Sequence, residues 1–390
     1  MRLHDGVTPW RLALNPDLAF GEAWMDGRIT VEDCSLHDLL AVLSINIDAL
    51  PPSCWETLRE RAVAVLSGAG GNTLARSRRN VAHHYDLTDR FYELFLDRDK
   101  QYSCAYFHAL GETLERAQDN KKRHIAGKLG IAPGMRVLDI GCGWGGLALY
   151  LARECGADVT GITLSETQLA AANARLAGSG LEDRVRFVLT DYRAVRETFD
   201  RVVSVGMFEH VGVGHYPEFF ARVRALLAPG GVALLHSIGR ADGPGVTNAW
   251  LEKYIFPGGY APALSEVLPT IERAGLWATD IEILRLHYAE TLAHWHTRFQ
   301  ANRAEAATLT DERFCRLWEF YLAGAEMDFR HQRTMVFQIQ LAREIDAVPL
   351  VRDYMVDWER AHGGAPGPVP FAEGRRKEKA TAEQIAVEGA

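Results

Sequence analysis

The sequence predicts an α/β fold: a Rossmann-like nucleotide-binding domain behind a small, mainly helical N-terminal region. Three observations predict it. A short apolar run over 135–140, with Asp139 near its end, leads into Gly141-Cys142-Gly143-Trp144-Gly145-Gly146. That reads as a buried strand, a glycine turn and the start of a helix at 147–152. Apolar segments at 157–163, 185–189, 201–205 and 231–236 then alternate with helical patterns near 166–177 and 216–227. Such alternation implies a parallel, doubly wound sheet. Ahead of residue 80 the apolar spacing is instead helical, at 36–50 and 55–66, with Pro51-Pro52 between.

The turn also bears on the ligand. Gly141, Gly143 and Gly146 satisfy G-x-G-x-x-G, which alone fits a dinucleotide. Asp139 shifts the reading, because a carboxylate there suits a cationic amino group better than a pyrophosphate. An NAD site also wants an acid at the end of the second strand. Here that end reads Thr163-Leu164-Ser165, and the acid, Glu166, is displaced into the next helix. S-adenosylmethionine, with an amino-acid moiety and no phosphate, is favoured over NAD.

The chain has 390 residues, enough for more than one typical domain, and a net charge of −8, which does not point to nucleic acid. Six cysteines at 34, 54, 104, 142, 155 and 315 form no C-x-x-C pair and read as reduced thiols of a cytoplasmic protein. Nothing approaches the length of a membrane span, so any membrane contact is peripheral, at the inner face.

Three regions are expected. Residues 1–80 form a helical region for lipid docking or dimerisation. It ends in a glycine-rich linker at 67–72 and a basic cluster at Arg76, Arg78 and Arg79. That cluster reads equally as a solvated helix face or a contact for anionic lipid. Residues 81–360 form the catalytic domain. Its further elements are helices at 91–96, 118–129 and 264–274, a strand at 279–286, and long aromatic-rich helices at 288–303 and 311–345. Residues 361–390 form a disordered tail.

Several polar residues stand in unusual places. Glu209-His210 follows the strand at 201–205, and His236 ends another strand at the same carboxyl edge, where open α/β sheets bind ligands. Function is the better reading for Glu209 and His236. Cys104 and Tyr288, taken singly, read as core packing.

A wider set of motifs gives these residues a shared context. It comprises His84-Tyr85-Asp86-Leu87, Phe91-Tyr92, Tyr102-Ser103-Cys104-Ala105-Tyr106, the 137–146 turn and Thr163-Leu164-Ser165. It continues through Asp191-Tyr192-Arg193, the 204–212 segment with Glu209-His210, Leu235-His236-Ser237-Ile238-Gly239, Phe256-Pro257-Gly258-Gly259 and His287-Tyr288-Ala289. With these, the chain from about 9 to 345 resembles the cyclopropane-fatty-acyl-phospholipid synthases, to which the mycolic acid cyclopropane synthases are related.

The resemblance implies an enzyme that adds a methylene from S-adenosylmethionine across a cis double bond of a phospholipid acyl chain. The intermediate carbocation loses a proton to bound bicarbonate. It implies a bicarbonate site at Cys104, Glu209, His236, the backbone of Ile238, and Tyr288. It implies a cofactor site at Tyr102, Ser103, Asp139, Gly141, Gly143, Thr163, Leu164, Ser165, Gln168, Asp191 and Tyr192, with no metal. Its partners would be membrane phospholipids with unsaturated chains, with a homodimer left open. Phe107, Phe208, Phe256, Tyr260 and Trp295 are candidate walls of an apolar pocket. A methylene- or methyl-branching lipid methyltransferase, a small-molecule methyltransferase and a non-catalytic lipid binder stand as alternatives.

Overall fold

The computed structural model describes residues 1–47, 88–109 and 111–363. The glycine linker, the basic cluster, the helix expected at 55–66, the His84-Tyr85-Asp86 motif and all but the first residues of the tail lie outside them.

The strands are β1 (Arg2–Leu3), β2 (Ile29–Thr30), β3 (Arg136–Ile140), β4 (Asp158–Thr163), β5 (Val185–Leu189), β6 (Phe199–Val205), β7 (Leu227–Arg240), β8 (Trp277–Ile283) and β9 (Thr334–Ala342). β1 and β2 form a small antiparallel ribbon. The other seven form one sheet in the order β5-β4-β3-β6-β7-β9-β8. From β5 to β7 the neighbours are parallel, and β9 lies antiparallel between β7 and β8. The chain runs outward from β3 through β4 to β5, then returns to the other side at β6. β3 and β6 therefore flank the topological switch point, where such sheets open a crevice at their carboxyl ends.

β3 sits centrally because it is apolar on both faces. Val137 feeds one core with Val203 and Leu234, whereas Leu138 and Ile140 feed the other with Val202 and Leu235. In register, Asp139 pairs with Gly161 on β4 and Val203 on β6. Helix Leu114–Leu129 precedes β3. The Thr113 hydroxyl caps it, and Gly130 ends it in the left-handed region at φ 55°.

One expectation changes. The helix expected over 311–345 is helix Glu312–His331 followed by β9. The run Thr334-Met335-Val336-Phe337-Gln338-Ile339 is rich in β-branched and aromatic residues, and from Met335 onward β9 is buried.

The described part of the N-terminal region, with helices Thr8–Leu14, Pro16–Met25 and Leu36–Ile47, packs on the rest of the chain. Met25 Sδ accepts from Trp250 Nε1 at 3.2 Å, and Trp24 Nε1 donates to the Arg316 carbonyl at 3.1 Å. A Cβ at Gly21 would overlap the Trp250 indole. Leu36 and Leu40 pack against Ala323 and Met327. Among the described residues no helix is long and apolar enough to cross a membrane, and the described cysteines are unbridged.

Candidate active site

Two cavities open at the carboxyl edge of the sheet. The first is built from consecutive strand ends: Asp139 and the glycine turn after β3, Thr163 and Leu164 after β4, Asp191 and Tyr192 after β5, and Gly206 after β6. Gln168 and the Tyr102-Ser103 segment close it. Every expected cofactor residue lines it except Ser165. That hydroxyl caps helix Glu166–Leu176 by accepting from Gln168 N at 3.2 Å, so it acts one step back.

The fit to S-adenosylmethionine rests on Asp139 and Gly143. Asp139 is buried, and its Oδ2 has no hydrogen-bond partner in the described structure. Burial lifts its carboxyl to about 7. An orphaned carboxylate of this kind calls for a cation, and the ligand's ammonium is one. A Cβ on Gly143, at φ +55°, would meet nothing within 4 Å, so the turn leaves room for a ligand at its own backbone. Thr163 Oγ1 donates to Gln168 Oε1 at 3.0 Å, which joins two residues of the expected cofactor set. Both oxygens of Asp191 are engaged by the Arg193 guanidinium at 2.8 Å.

The second cavity, of about 470 Å³, is large enough for a substantial ligand. Cys104, Glu209, His236, Ile238 and Tyr288 all line it. Residues far apart in sequence thus converge, as the resemblance implies. Tyr102, Ser103, Gly206 and His210 line both cavities and form the seam between them.

Geometry refines each role. Glu209 Oε1 accepts from the Ile238 N–H at 2.7 Å, whereas Oε2 is buried without a partner. Burial raises its carboxyl to about 7. The Ile238 N–H, expected to hold an anion, is therefore engaged by Glu209. His236 Nδ1 accepts from Gln338 Nε2 at 3.1 Å, which puts the ring proton on Nε2. Burial lowers His236 to about 3, so the ring is neutral. Cys104 Sγ donates to the Ala105 carbonyl at 3.3 Å, and burial pushes its thiol up, away from the thiolate. Tyr288 packs between Trp295 and Phe329.

Of the expected walls, Phe256 and Tyr260 line the cavity. Trp295 lies behind it, stacked on Tyr102 at 5.2 Å, and Phe208 stacks on Tyr216 in another core. Phe107 stacks over His294. Their aromatic character gave no means of telling pocket from core. Sequence reading also missed Lys121, Tyr321 and His210 as lining residues. Lys121 and Tyr321 lie on amphipathic helices, where only the fold shows which face meets a cavity.

A Rossmann-like sheet carrying this turn, with a buried acid at the end of β3, defines an S-adenosylmethionine-dependent methyltransferase. Residues 72–339 match the family described as mycolic acid cyclopropane synthetase, and the chain belongs to that family. It is 42% identical to a probable fatty acid methyltransferase of Pseudomonas putida, over 64% of this chain and 65% of that protein. It is 36% identical to the cyclopropane-fatty-acyl-phospholipid synthase of Escherichia coli, over 86% of each chain. Among solved structures, a Mycobacterium tuberculosis cyclopropane synthase matches with a TM-score of 0.65 at 36% identity, covering 68% of this chain and 98% of that one.

Proposed function

We propose that the protein converts cis double bonds in phospholipid acyl chains to cyclopropane rings. The observation that carries this reading is the seam. A cavity fitted to a methyl donor meets a larger one in which Glu209, His236, Tyr288 and Cys104 converge. The relatives' names, which refer to fatty-acyl and mycolic lipids, support the substrate class.

When bound, S-adenosylmethionine supplies an electrophilic methyl group and bicarbonate a base. Asp139 holds the donor's ammonium, and the backbone at Gly141 and Gly143 lets its methionine part approach. Thr163 and Gln168 take the ribose, and Tyr192, with Asp191 fixed by Arg193, borders the adenine. In the second cavity the Ile238 N–H fixes one oxygen of Glu209, leaving the other to accept a proton. Neutral His236 donates from Nε2, and the Tyr288 hydroxyl donates beside it. Cys104 stays a thiol and shapes the wall. Phe256, Tyr260 and Leu292 keep the cavity dry, which protects a carbocation on the acyl chain from water. Mass spectrometry of lipids from a host expressing the protein tests the reading. We expect unsaturated chains to gain one CH₂, with fragmentation placing it in a ring. A methylene or methyl branch there would overturn ring closure.

We place membrane contact on helix Thr8–Leu14. Val7, Trp10 and Leu14 are 61%, 74% and 85% exposed, at a spacing that shares one face. Such side chains on a surface helix suit a lipid interface. Each buried apolar side chain contributes roughly 1.5–3 kcal/mol, so the double substitution Trp10→Ala, Leu14→Ala should weaken vesicle binding by about tenfold or more. Vesicle co-sedimentation reads this, with S-adenosylmethionine affinity unchanged. Wild-type vesicle binding would move the contact elsewhere.

A further inference from the structure

Lys121 has no part in the chemistry above, yet it is built into the wall of the first cavity. It lies within helix Leu114–Leu129, is 1% exposed, and borders the cavity with Asp139. Among the described residues its hydrogen bond is to a neutral group, Ser103 Oγ, at 2.7 Å. Other lysines of the same helix pair with carboxylates: Lys122 with Asp119 at 2.8 Å and Lys128 with Glu282 at 2.5 Å.

The titratable groups coupled to Lys121 come from several elements: Asp97, Cys104, Lys122 on its own helix, Asp139 at the end of β3, and the neutral His236 on β7. Asp97 spends its oxygens on the N–H groups of Asp99 and Gln101. A buried ammonium held only by a hydroxyl is costly, and burial pulls the Lys121 amine down to about 7. Lys121 is thus a buried amine in the wall of the ligand cavity, its hydrogen bond going to a hydroxyl and not to a carboxylate.

The ligands of this reaction differ in charge at one atom. The donor carries a positive sulfonium. Once its S–C bond breaks and the electron pair stays on sulfur, the product is a neutral thioether. We propose that Lys121 is a charge-sensing positioning residue of the methyl-donor cavity, its amine neutral beside the cationic donor and protonated beside the neutral product. Proton uptake then restores the positive charge that methyl transfer removes, and product is held more tightly relative to donor as pH falls. The sign follows from repulsion. Below the Lys121 pKa the free site holds an ammonium, which donor binding must discharge and product binding need not. The inference rests on the donor occupying this cavity.

Calorimetry tests it on the full chain, with S-adenosylmethionine and S-adenosylhomocysteine titrated in buffers of different ionisation enthalpy. Both ligands carry the same ammonium, so proton exchange at Asp139 cancels in the comparison. We expect more protons taken up with S-adenosylhomocysteine. The donor-to-product affinity ratio should fall as pH drops through about 7, by up to about tenfold per unit. Lys121→Met should abolish the difference. Lys121→Arg, a fixed cation, should weaken donor binding by about tenfold while changing product binding little. Equal proton uptake by the wild type, or a difference that survives in Lys121→Met, would overturn the inference. Asp139→Asn separates the two levels. Weakened binding of both ligands supports the cavity assignment, whereas unchanged binding removes that assignment and this inference with it.

Discussion

Glu209→Gln should lower kcat by roughly 10²–10⁴, the usual span for a general acid–base group, and leave S-adenosylmethionine affinity near wild type. The separation is expected because Glu209 lines the second cavity and not the first. The substitution keeps size and an acceptor for the Ile238 N–H but cannot take up a proton. Its cost should therefore fall on kcat, with binding intact. The pH profile adds an independent check. Burial raises Glu209 to about 7, so its ionised form grows as pH rises through that value. The wild-type rate should climb over the same window. His236, lowered to about 3, stays neutral throughout and adds no limb near neutrality. Activity should also drop in bicarbonate-free buffer and return when bicarbonate is added. Single-turnover rates with calorimetry on the same variant decide the matter: normal turnover makes Glu209 a structural strand-end residue.

The parts of this site that could be read from sequence are those where one local feature has one physical meaning. The apolar run before Gly141 is a strand and the glycines a turn, so Asp139 falls at a carboxyl edge wherever the rest of the chain goes. Glu209 follows by the same logic. His236, read as a strand end, lies within β7, which runs on to Arg240 beside β9; only its pairing with β6 stops at His236. β9 was illegible because its apolar residues continue those of helix Glu312–His331 without a proline or glycine break. Lys121 was illegible for another reason. The segment Asn120-Lys121-Lys122-Arg123 looks like a solvated face, yet its helix packs against helix Asp353–Ala361, β7 and helix Gly146–Cys155, and all four are buried. The capture of Ile238 N–H by Glu209 depends on a distance that no motif encodes.

Gly143→Val should abolish S-adenosylmethionine binding. Two effects act in the same direction. The backbone at φ +55° lies in the left-handed region, where a β-branched side chain is strained. The added Cβ would meet no protein atom within 4 Å, so the side chain enters the ligand's space rather than a packed wall. Gly145 is the contrast. A Cβ there would collide with Phe187, so its substitution should damage the fold itself. Gly143→Ala separates strain from obstruction, because it adds one carbon to the same empty space at a smaller conformational cost. We expect Gly143→Ala to fold with a modest loss of melting temperature and to bind the cofactor at least about tenfold more weakly, a difference of about 1.4 kcal/mol. Thermal melts with and without S-adenosylmethionine measure both quantities in one experiment. A ligand-induced stabilisation of Gly143→Val equal to that of the wild type would place the cofactor away from this turn.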